Sequence, residues 1–258
     1  MLHSFDIFQP YPELTAGYTD RHGGASQGNY ASFNCHYDGG DDPMAVAANR
    51  NALERSLGMS LITAHQVHGT DILHVDRTFG ASEPAERERQ LQGKDALITA
   101  EPGLLVGIHT ADCIPLLLYD PKERICAAIH AGWRGTAANI AGRTIHLLTN
   151  TYHCRPENLL AAIGPGISLS AFEVGDEVYE AFDQEGYDMH RIAQRFSPAS
   201  KWHLDLKAAN RDRLVQYGIP ESHIEDAGIC TWQNTDYFSA RRMGIRSGRI
   251  LSCIGIKE

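Results

Sequence analysis

The sequence predicts an α+β fold, a mixed β-sheet flanked by helices, in a single domain over residues 1–258. Near-continuous apolar runs of strand length fill the middle of the chain, a pattern typical of strands covered on both faces. Segments with helical periodicity lie among these runs. No linker rich in Pro, Gly or Ser divides the chain, so we expect one domain with one core.

The first quarter of the chain predicts one helix and two strands. The helix is expected over residues 43–57, because Pro43 suits a first helical turn and Gly58 follows the last periodic position. Strands are expected at residues 61–67 and 72–75, where short apolar segments flank a polar turn.

The middle of the chain is its most apolar part. Pro121, in a polar turn after the third apolar run, presets φ for the second position of that turn. Thr136 is the predicted N-cap of a helix whose apolar positions repeat at helical spacing. The apolar runs predict four strands, at residues 96–99, 104–108, 114–119 and 125–130.

The last third of the chain repeats the mixture of strands and helices. Earlier in the chain, before the apolar middle, the hydrophilic residues 83–94 predict a surface segment in which a helix can form. After the middle we expect strands at residues 159–163, 224–230 and 250–256 and helices at residues 173–182 and 206–217.

Composition and charge exclude several functional classes. The formal net charge is −9, whereas a protein that grips a nucleic acid backbone needs a basic face, so we expect no nucleic acid partner. No apolar run approaches the roughly 20 residues that span a bilayer, and the first ten residues do not resemble a signal peptide. Six cysteines without a CxxC pattern fit reduced thiols. We therefore expect a cytoplasmic protein without membrane contact.

Residues that bind zinc well stand at the ends of predicted strands. They are His68, Cys113 and His130. Three protein ligands with an open fourth position are typical of catalytic zinc. The alternative is that Cys113 is a small core residue, since free cysteines are often buried. His65 competes with His68, but residues three apart in a strand point to opposite faces, so we expect only one of them at a site.

Two segments predict anion recognition. Glycines around Arg134 lie at a strand-to-helix junction, where backbone N–H groups favour an anion, although a surface turn with Trp133 on the core would look the same. Arg241 and Arg242 belong to a cluster of arginines near the end of an acidic chain. A solvated loop is the alternative there. No P-loop or dinucleotide-binding fingerprint is present, which disfavours nicotinamide and flavin chemistry.

Ordered motifs along nearly the whole chain resemble the YfiH-like family. This family was formerly named multicopper polyphenol oxidase (laccase) and is now regarded as zinc-dependent purine nucleoside phosphorylases with adenosine deaminase activity. The motifs include Ser32-Phe33-Asn34, Gln66-Val67-His68-Gly69, Asp95-Ala96-Leu97-Ile98-Thr99, Thr110-Ala111-Asp112-Cys113-Ile114-Pro115, His130-Ala131-Gly132-Trp133-Arg134-Gly135 and Phe238-Ser239-Ala240-Arg241-Arg242.

The resemblance implies a zinc site and a set of roles. It implies that His68, Cys113 and His130 are the zinc ligands, and we expect them to be the catalytic residues. Asp112, directly beside Cys113, is expected to shuttle a proton or to orient a ligand. An ordinary turn or capping carboxylate is the alternative for Asp112. The residues expected to bind substrate or phosphate are Asn34, Arg134, Arg241 and Arg242. The chain departs from the family at Ala240, where an aromatic residue is usual, so the packing there and the edge of the pocket are expected to differ.

Several functions remain open at this point. The resemblance implies phosphorolysis of adenosine, inosine, guanosine or methylthioadenosine with phosphate as partner, together with adenosine deamination. One alternative is a copper-dependent phenol oxidase, since copper also binds Cys and His. Another is a hydrolase with Cys113 as nucleophile and His130 as base, because the family fold is similar to that of a toxin deamidase. A third is editing of cell-wall precursors. We expect a monomer or a small homo-oligomer.

Overall fold

The structure is a computed structural model that describes residues 2–258. The strands are β1 Leu2–His3, β2 Leu14–Thr19, β3 Ser60–Thr63, β4 Ile72–His74, β5 Ala96–Thr99, β6 Leu104–Thr110, β7 Ile114–Asp120, β8 Ile125–Ala131, β9 Leu160–Ile163, β10 Glu173–Val174, β11 Ala193–Gln194, β12 Trp202–Leu204, β13 Ile224–Asp226 and β14 Ile250–Ile256. The helices are α1 Pro43–Leu57, α2 Arg77–Ala81, α3 Pro84–Leu91, α4 Trp133–Ala137, α5 Ile140–Tyr152, α6 Asp176–Gln184, α7 Met189–Ile192, α8 Leu206–Gln216 and α9 Ala240–Met243.

Two large mixed sheets form the centre of the fold. One has five strands in the order β1-β2-β14-β6-β3, and the other has six in the order β13-β9-β7-β8-β5-β4. Both sheets are antiparallel in the middle. The first has one parallel pair at an edge, β3 with β6, and the second has a parallel pair at each edge, β4 with β5 and β9 with β13. A small antiparallel sheet, β10-β12-β11, lies apart from both. The predicted α+β class is confirmed, but the expectation of one sheet was wrong.

Alternate residues of the central strands face different apolar layers. In β7, Leu116 packs among residues of β8, β9 and helices α5 to α8, whereas Leu117 packs among residues of both large sheets. In β6, Val106 faces the layer between the sheets and Leu105 faces Leu53 of α1. The fold is therefore layered: α1 covers the outer face of the five-stranded sheet, the two large sheets pack against each other, and helices α5 to α8 cover the outer face of the six-stranded sheet. Because these strands are buried on both faces, their sequences are almost unbroken apolar runs.

The bounds of several predicted elements need correction. The strand predicted at 61–67 ends at Thr63, because the chain then bends toward the turn that carries His68. The strand predicted at 224–230 ends at Asp226. Thr136 is not an N-cap, because α4 already begins at Trp133 and the side chain of Asn139 caps α5.

Other elements agree with the sequence or were missed by it. Helix α1 has its predicted bounds, and the side chain of Asp42 caps it. The hydrophilic excursion at residues 83–94 contains α3. The helix expected from residue 173 begins at Asp176, because residues 173–174 pair with β12 instead. Strand β2 was not predicted. None of the helices within residues 2–258 is long and apolar enough to cross a membrane.

Candidate metal centre and cavity

Three zinc-type donors predicted from the sequence lie together at one end of the six-stranded sheet. The ligand atoms of His68, Cys113 and His130 all lie within 4.8 Å of one another. His68 is exposed, Cys113 is half-buried and His130 is buried, so the group opens toward solvent on one side. The rings of His68 and His130 meet edge to face, with centroids 4.8 Å apart. This group could hold a metal ion.

Strand pairing explains why residues distant in sequence converge. Strands β7 and β8 are antiparallel, with Pro115 opposite His130. The start of β7, just after Cys113, therefore lies beside the end of β8. Strand β5 pairs with the other edge of β8, which brings Asp95 next to His130. The sheet alone thus assembles most of the group.

The carboxylate of Asp95 connects two of the three donors. Its Oδ1 accepts hydrogen bonds from the His130 ring nitrogen Nδ1 at 2.7 Å and from the backbone N–H of His68 at 2.9 Å. Its Oδ2 accepts the N–H groups of Val67 at 3.2 Å and Gly69 at 2.7 Å. Burial opposes ionisation of this carboxyl, but these hydrogen bonds outweigh it and lower the pKa of Asp95. A carboxylate behind a metal-binding imidazole fixes its tautomer and orientation.

The local backbone is adapted to this geometry. His68 has φ of 62° and Asp112, directly before Cys113, has φ of 88°, in the left-handed region that residues other than glycine rarely adopt. Such strain is characteristic of functional sites. Gly132 lies against the donors, since a Cβ there would be 2.8 Å from Cδ2 of His68 and 3.2 Å from Sγ of Cys113. Any side chain at residue 132 would fill the space between them.

The thiol and the buried imidazole perturb each other. Burial opposes ionisation of Cys113, but charge interaction and hydrogen bonding with His130 and His68 outweigh it and lower the pKa of the thiol from 9.0 to about 6. Burial likewise opposes protonation of His130, while Cys113 and Asp95 raise its pKa from 6.5 to about 9. The thiolate, which is the form that binds metal, is therefore populated at neutral pH.

A cavity of about 240 Å³ opens next to the donors. Ala240 and the 80% exposed Ile245 form part of its wall, so the position that departs from the family pattern does border the cavity. A larger, open groove of about 680 Å³ lies along α5 and contains none of the three donors. The residues lining the smaller cavity are His36, Gln66, His68, His109, Thr110, Ala111, Cys113, His130, Ala240, Ile245 and Arg249.

The chain matches the family described as multi-copper polyphenol oxidoreductase laccase over residues 15–257. It belongs to this family. A purine nucleoside phosphorylase of Bacteroides thetaiotaomicron is 44% identical over 258 residues, 98% of this chain and 96% of that protein. Adenosine deaminase RL5, from an unknown prokaryotic organism, is 39% identical over 234 residues, 87% of each protein. The crystal structure of YlmD from Geobacillus stearothermophilus has a TM-score of 0.89 at 34% identity and covers 97% of this chain and 94% of its own.

In this member of the laccase-named family, Asp112 holds the loop that carries Thr231 and Arg241 beside the cavity. Its Oδ1 accepts the hydroxyl of Thr231 at 2.6 Å and its Oδ2 accepts the backbone N–H of Arg241 at 2.6 Å. Its carbonyl oxygen accepts the N–H of Ile167 at 2.9 Å. Both carboxylate oxygens are thus engaged with the protein. The contacts show a side chain that positions a loop, and a role in proton transfer stays a prediction.

Asn34 supports the cavity from behind. It has no exposed surface, and its Oδ1 accepts the N–H groups of His36 at 3.2 Å and Arg249 at 3.0 Å. Its amide donates to the carbonyl of His36 at 3.2 Å and to Asp41 at 2.9 Å. These contacts position His36 and Arg249, and direct contact of Asn34 with substrate stays a prediction.

The three arginines expected to bind the anion do not line the cavity. Arg134 is exposed and stacks on Trp133, with its guanidinium carbon 4.2 Å from the ring centroid. Arg241 donates to the carbonyl of Glu173 at 3.1 Å. The guanidinium of Arg242 donates to four backbone carbonyls, those of Thr231, Trp232, Asn234 and Tyr237. Direct anion binding by these three arginines stays a prediction. Arg249 of the same cluster does line the cavity.

His65, the sequence competitor of His68, lies outside the donor group as expected. Its ring is paired with Asp38 at 2.8 Å and Glu88 at 2.7 Å. All six cysteines are free. Sequence reasoning missed Asp95, His36 and His109 as site residues. Asp95 directly precedes a predicted strand and begins the family-like motif Asp95-Ala96-Leu97-Ile98-Thr99, and that position was the one available signal.

Proposed function

We propose that this protein is a zinc-dependent purine nucleoside phosphorylase that also deaminates adenosine. Adenosine, inosine and guanosine are the proposed substrates, methylthioadenosine is a further candidate, and inorganic phosphate is the second substrate. The names of two relatives support the two reactions. The observation that carries the proposal is the convergence of three donor atoms within 4.8 Å beside an open cavity.

The residues present fit a zinc ion. Two imidazoles and a thiolate are ligands that zinc prefers, and three protein ligands leave a fourth position for water or substrate. The glycine at residue 132 keeps the space between the donors free of side-chain atoms. When bound, zinc in such a site lowers the pKa of coordinated water to about 7 and polarises substrate atoms.

The protein's own groups would then orient the reactants. Asp95 holds Nδ1 of His130, so that Nε2 faces the donor group. In phosphorolysis an oxygen of phosphate bonds to C1′ of the ribose while the C1′–N9 bond breaks, and its electron pair leaves with the purine, which takes up a proton. In deamination water adds at C6 of the purine and ammonia leaves. The cavity beside the three donors would place a small polar substrate next to the bound ion.

The test is a direct assay of the full chain with one equivalent of zinc. With inosine and phosphate we expect hypoxanthine and ribose 1-phosphate in equal amounts, and neither product when phosphate is omitted. With adenosine we expect inosine and ammonia. Absence of products from both substrates, in protein shown by elemental analysis to hold zinc, would reject the proposed function.

A Cys–His hydrolase is the second candidate, favoured by the mutual pKa shifts of Cys113 and His130. A thiolate beside an imidazolium is the resting state of many cysteine nucleophiles. Metal and nucleophile roles predict opposite responses to a chelator. Activity that survives metal removal but disappears in Cys113→Ser would favour the hydrolase, whereas activity restored in proportion to added zinc favours the phosphorylase.

Copper-dependent phenol oxidation, which the family's name describes, is less well supported by the donor groups. Multicopper oxidases need several metal ions, whereas residues 2–258 contain one group of three or more donors with metal-binding geometry. A stoichiometry of one metal per chain, with zinc predominant in protein purified without added metal, is the expected result of elemental analysis. Several copper ions per chain would instead favour the oxidase.

A further inference from the structure

The cavity has a second polar side that the metal donors do not use. It consists of His36, His109, Thr110 and Arg249. None of the described residues lining the cavity is an aspartate or a glutamate, although the chain as a whole carries a net charge of −9. The carboxylate of Asp112, which interacts with Arg249, is already engaged with Thr231 and Arg241. Arg249 therefore gives this side of the cavity a permanent positive charge.

Two neighbouring polar atoms on this side lack partners. His109 and Thr110 end strand β6 and are 5% and 1% exposed. The ring nitrogen Nδ1 of His109 and the hydroxyl of Thr110 are buried without a hydrogen-bond partner. An unsatisfied buried polar group costs about 1–3 kcal/mol, so such groups are rare unless a ligand or water completes them. Both residues border the cavity, so a polar occupant there would complete hydrogen bonds that the protein leaves unmade.

The surrounding contacts hold this side rigid. The His36 and His109 rings are 4.9 Å apart between centroids. Gln66 clamps the backbone of His109 with two hydrogen bonds, of 2.8 Å from its amide and 2.7 Å to its carbonyl oxygen. Nη1 and Nη2 of Arg249 donate to carbonyls of Ile245, Ser247 and Gly248, so its positive charge is fixed in place.

We propose that His36, His109, Thr110 and Arg249 form an oxyanion subsite that takes inorganic phosphate beside the metal donors. The imidazoles and the hydroxyl supply hydrogen-bond donors, and Arg249 supplies a fixed positive charge for a small anion with several acceptor oxygens. The assignment of the anion as a reactant rests on the proposed function, because phosphorolysis requires phosphate within reach of C1′ of the nucleoside. The subsite itself rests on geometry.

Thr110→Val tests the subsite with little risk to folding. The substitution keeps the shape and removes a hydroxyl that has no partner, so the variant should be as stable as the parent or more so. Phosphate titrated into the full chain by calorimetry should bind about tenfold more weakly, the value of one hydrogen bond to a charged group. His36→Gln, which alters a second member, should weaken phosphate binding by a similar factor.

Thr144→Val is the matched control. The Thr144 hydroxyl is buried and donates to the carbonyl of Ile140 at 2.9 Å, away from the cavity. This variant should lose stability and bind phosphate as the parent does. Equal phosphate affinity in the parent, Thr110→Val and His36→Gln would overturn the subsite.

Steady-state kinetics separate failure of the subsite from failure of the proposed function. In both subsite variants the KM for phosphate should rise about tenfold relative to the KM for inosine. Phosphorolysis with an unchanged ratio of the two KM values would remove the subsite and keep the function. Loss of phosphate binding in the variants of a parent that shows no phosphorolysis would keep the subsite and remove the function.

Discussion

The donor group and the C-terminal loop, residues 231–249, lie beside the same cavity but are built in different ways. His68, Cys113 and His130 are placed by paired strands and by one buried carboxylate, and their ligand atoms remain directed at one another. The loop carries four arginines, yet Arg242 and Arg249 use most of their guanidinium donors on backbone carbonyls. The metal donors thus keep their ligand atoms free, whereas arginines of the loop use theirs to bind the backbone.

The difference shows that a side chain can bind a ligand directly only through polar atoms that the fold does not use, although a charge held in place, such as that of Arg249, still acts on an anion. In the donor group, Asp95 makes the hydrogen bonds that hold the local backbone, so the ligand atoms stay available to a metal ion. In the loop, an arginine itself replaces the regular backbone pairing that the loop lacks, since guanidinium groups can satisfy several carbonyls at once. Substitutions in the two regions should therefore separate effects on metal affinity from effects on stability.

The largest effect is expected from His130→Ala. Loss of a buried donor leaves two ligands and removes the partner of the Asp95 carboxylate, so metal binding and any metal-dependent activity should disappear. Elemental analysis and the inosine assay measure the two effects. His65→Ala is the matched control, because His65 lies outside the donor group and pairs with Asp38 and Glu88. Equal zinc content in the two variants would contradict the assignment of the donor group.

Gly132→Ala should have the next largest effect. A Cβ at 2.8 Å from the His68 ring forces that ring away from the other donors, while the backbone at φ −68° and ψ 168° accepts alanine. We expect zinc affinity to fall by about 100-fold, at the upper end of changes that disturb ligand orientation, with little change in folding. A competition titration with a chromophoric chelator measures the affinity.

The control for this substitution is Gly80→Ala. Gly80 lies in helix α2 with open space around its Cβ position, so alanine should stabilise the fold by up to about 1 kcal/mol and leave zinc affinity unchanged. If Gly132→Ala binds zinc as tightly as Gly80→Ala, the space beside residue 132 is not needed by the metal.

Asp95→Asn tests the carboxylate that serves the donor group. The carboxylate accepts four hydrogen bonds, from the imidazole and from three backbone N–H groups, whereas an amide has only one accepting oxygen. Zinc affinity should therefore fall by about 10- to 100-fold, and stability should also fall. Asp120→Asn is a matched buried control at the other end of β7, where the carboxylate accepts the N–H groups of Lys122 and Glu123. It should reduce stability alone. Identical zinc affinities in the two variants would show that Asp95 acts only on the fold.

The same contrast explains how much of the molecule the sequence predicts. Strands of the six-stranded sheet were located within a few residues because burial on both faces produces unbroken apolar runs. Strand β2, with Thr15, Gly17 and Thr19 among its residues, has a weaker pattern and was missed, and with it the second sheet. The metal donors were predicted by residue type. Asp95 was not, because its role depends on the pairing of β5 with β8, which local sequence does not encode.

The smallest effect on the metal centre, and a clear effect on stability, is expected from Arg242→Lys. An ammonium group cannot reach four carbonyls arranged around a planar fork, so the free energy of unfolding should fall by about 2 kcal/mol, while zinc affinity changes less than about threefold. Denaturant unfolding and chelator competition measure the two quantities. Arg246→Lys, at an exposed position of the same loop, should alter stability by less than about 0.5 kcal/mol. A large loss of zinc affinity without loss of stability in Arg242→Lys would mean that this guanidinium acts on the metal centre, and the contrast between the two regions would fail.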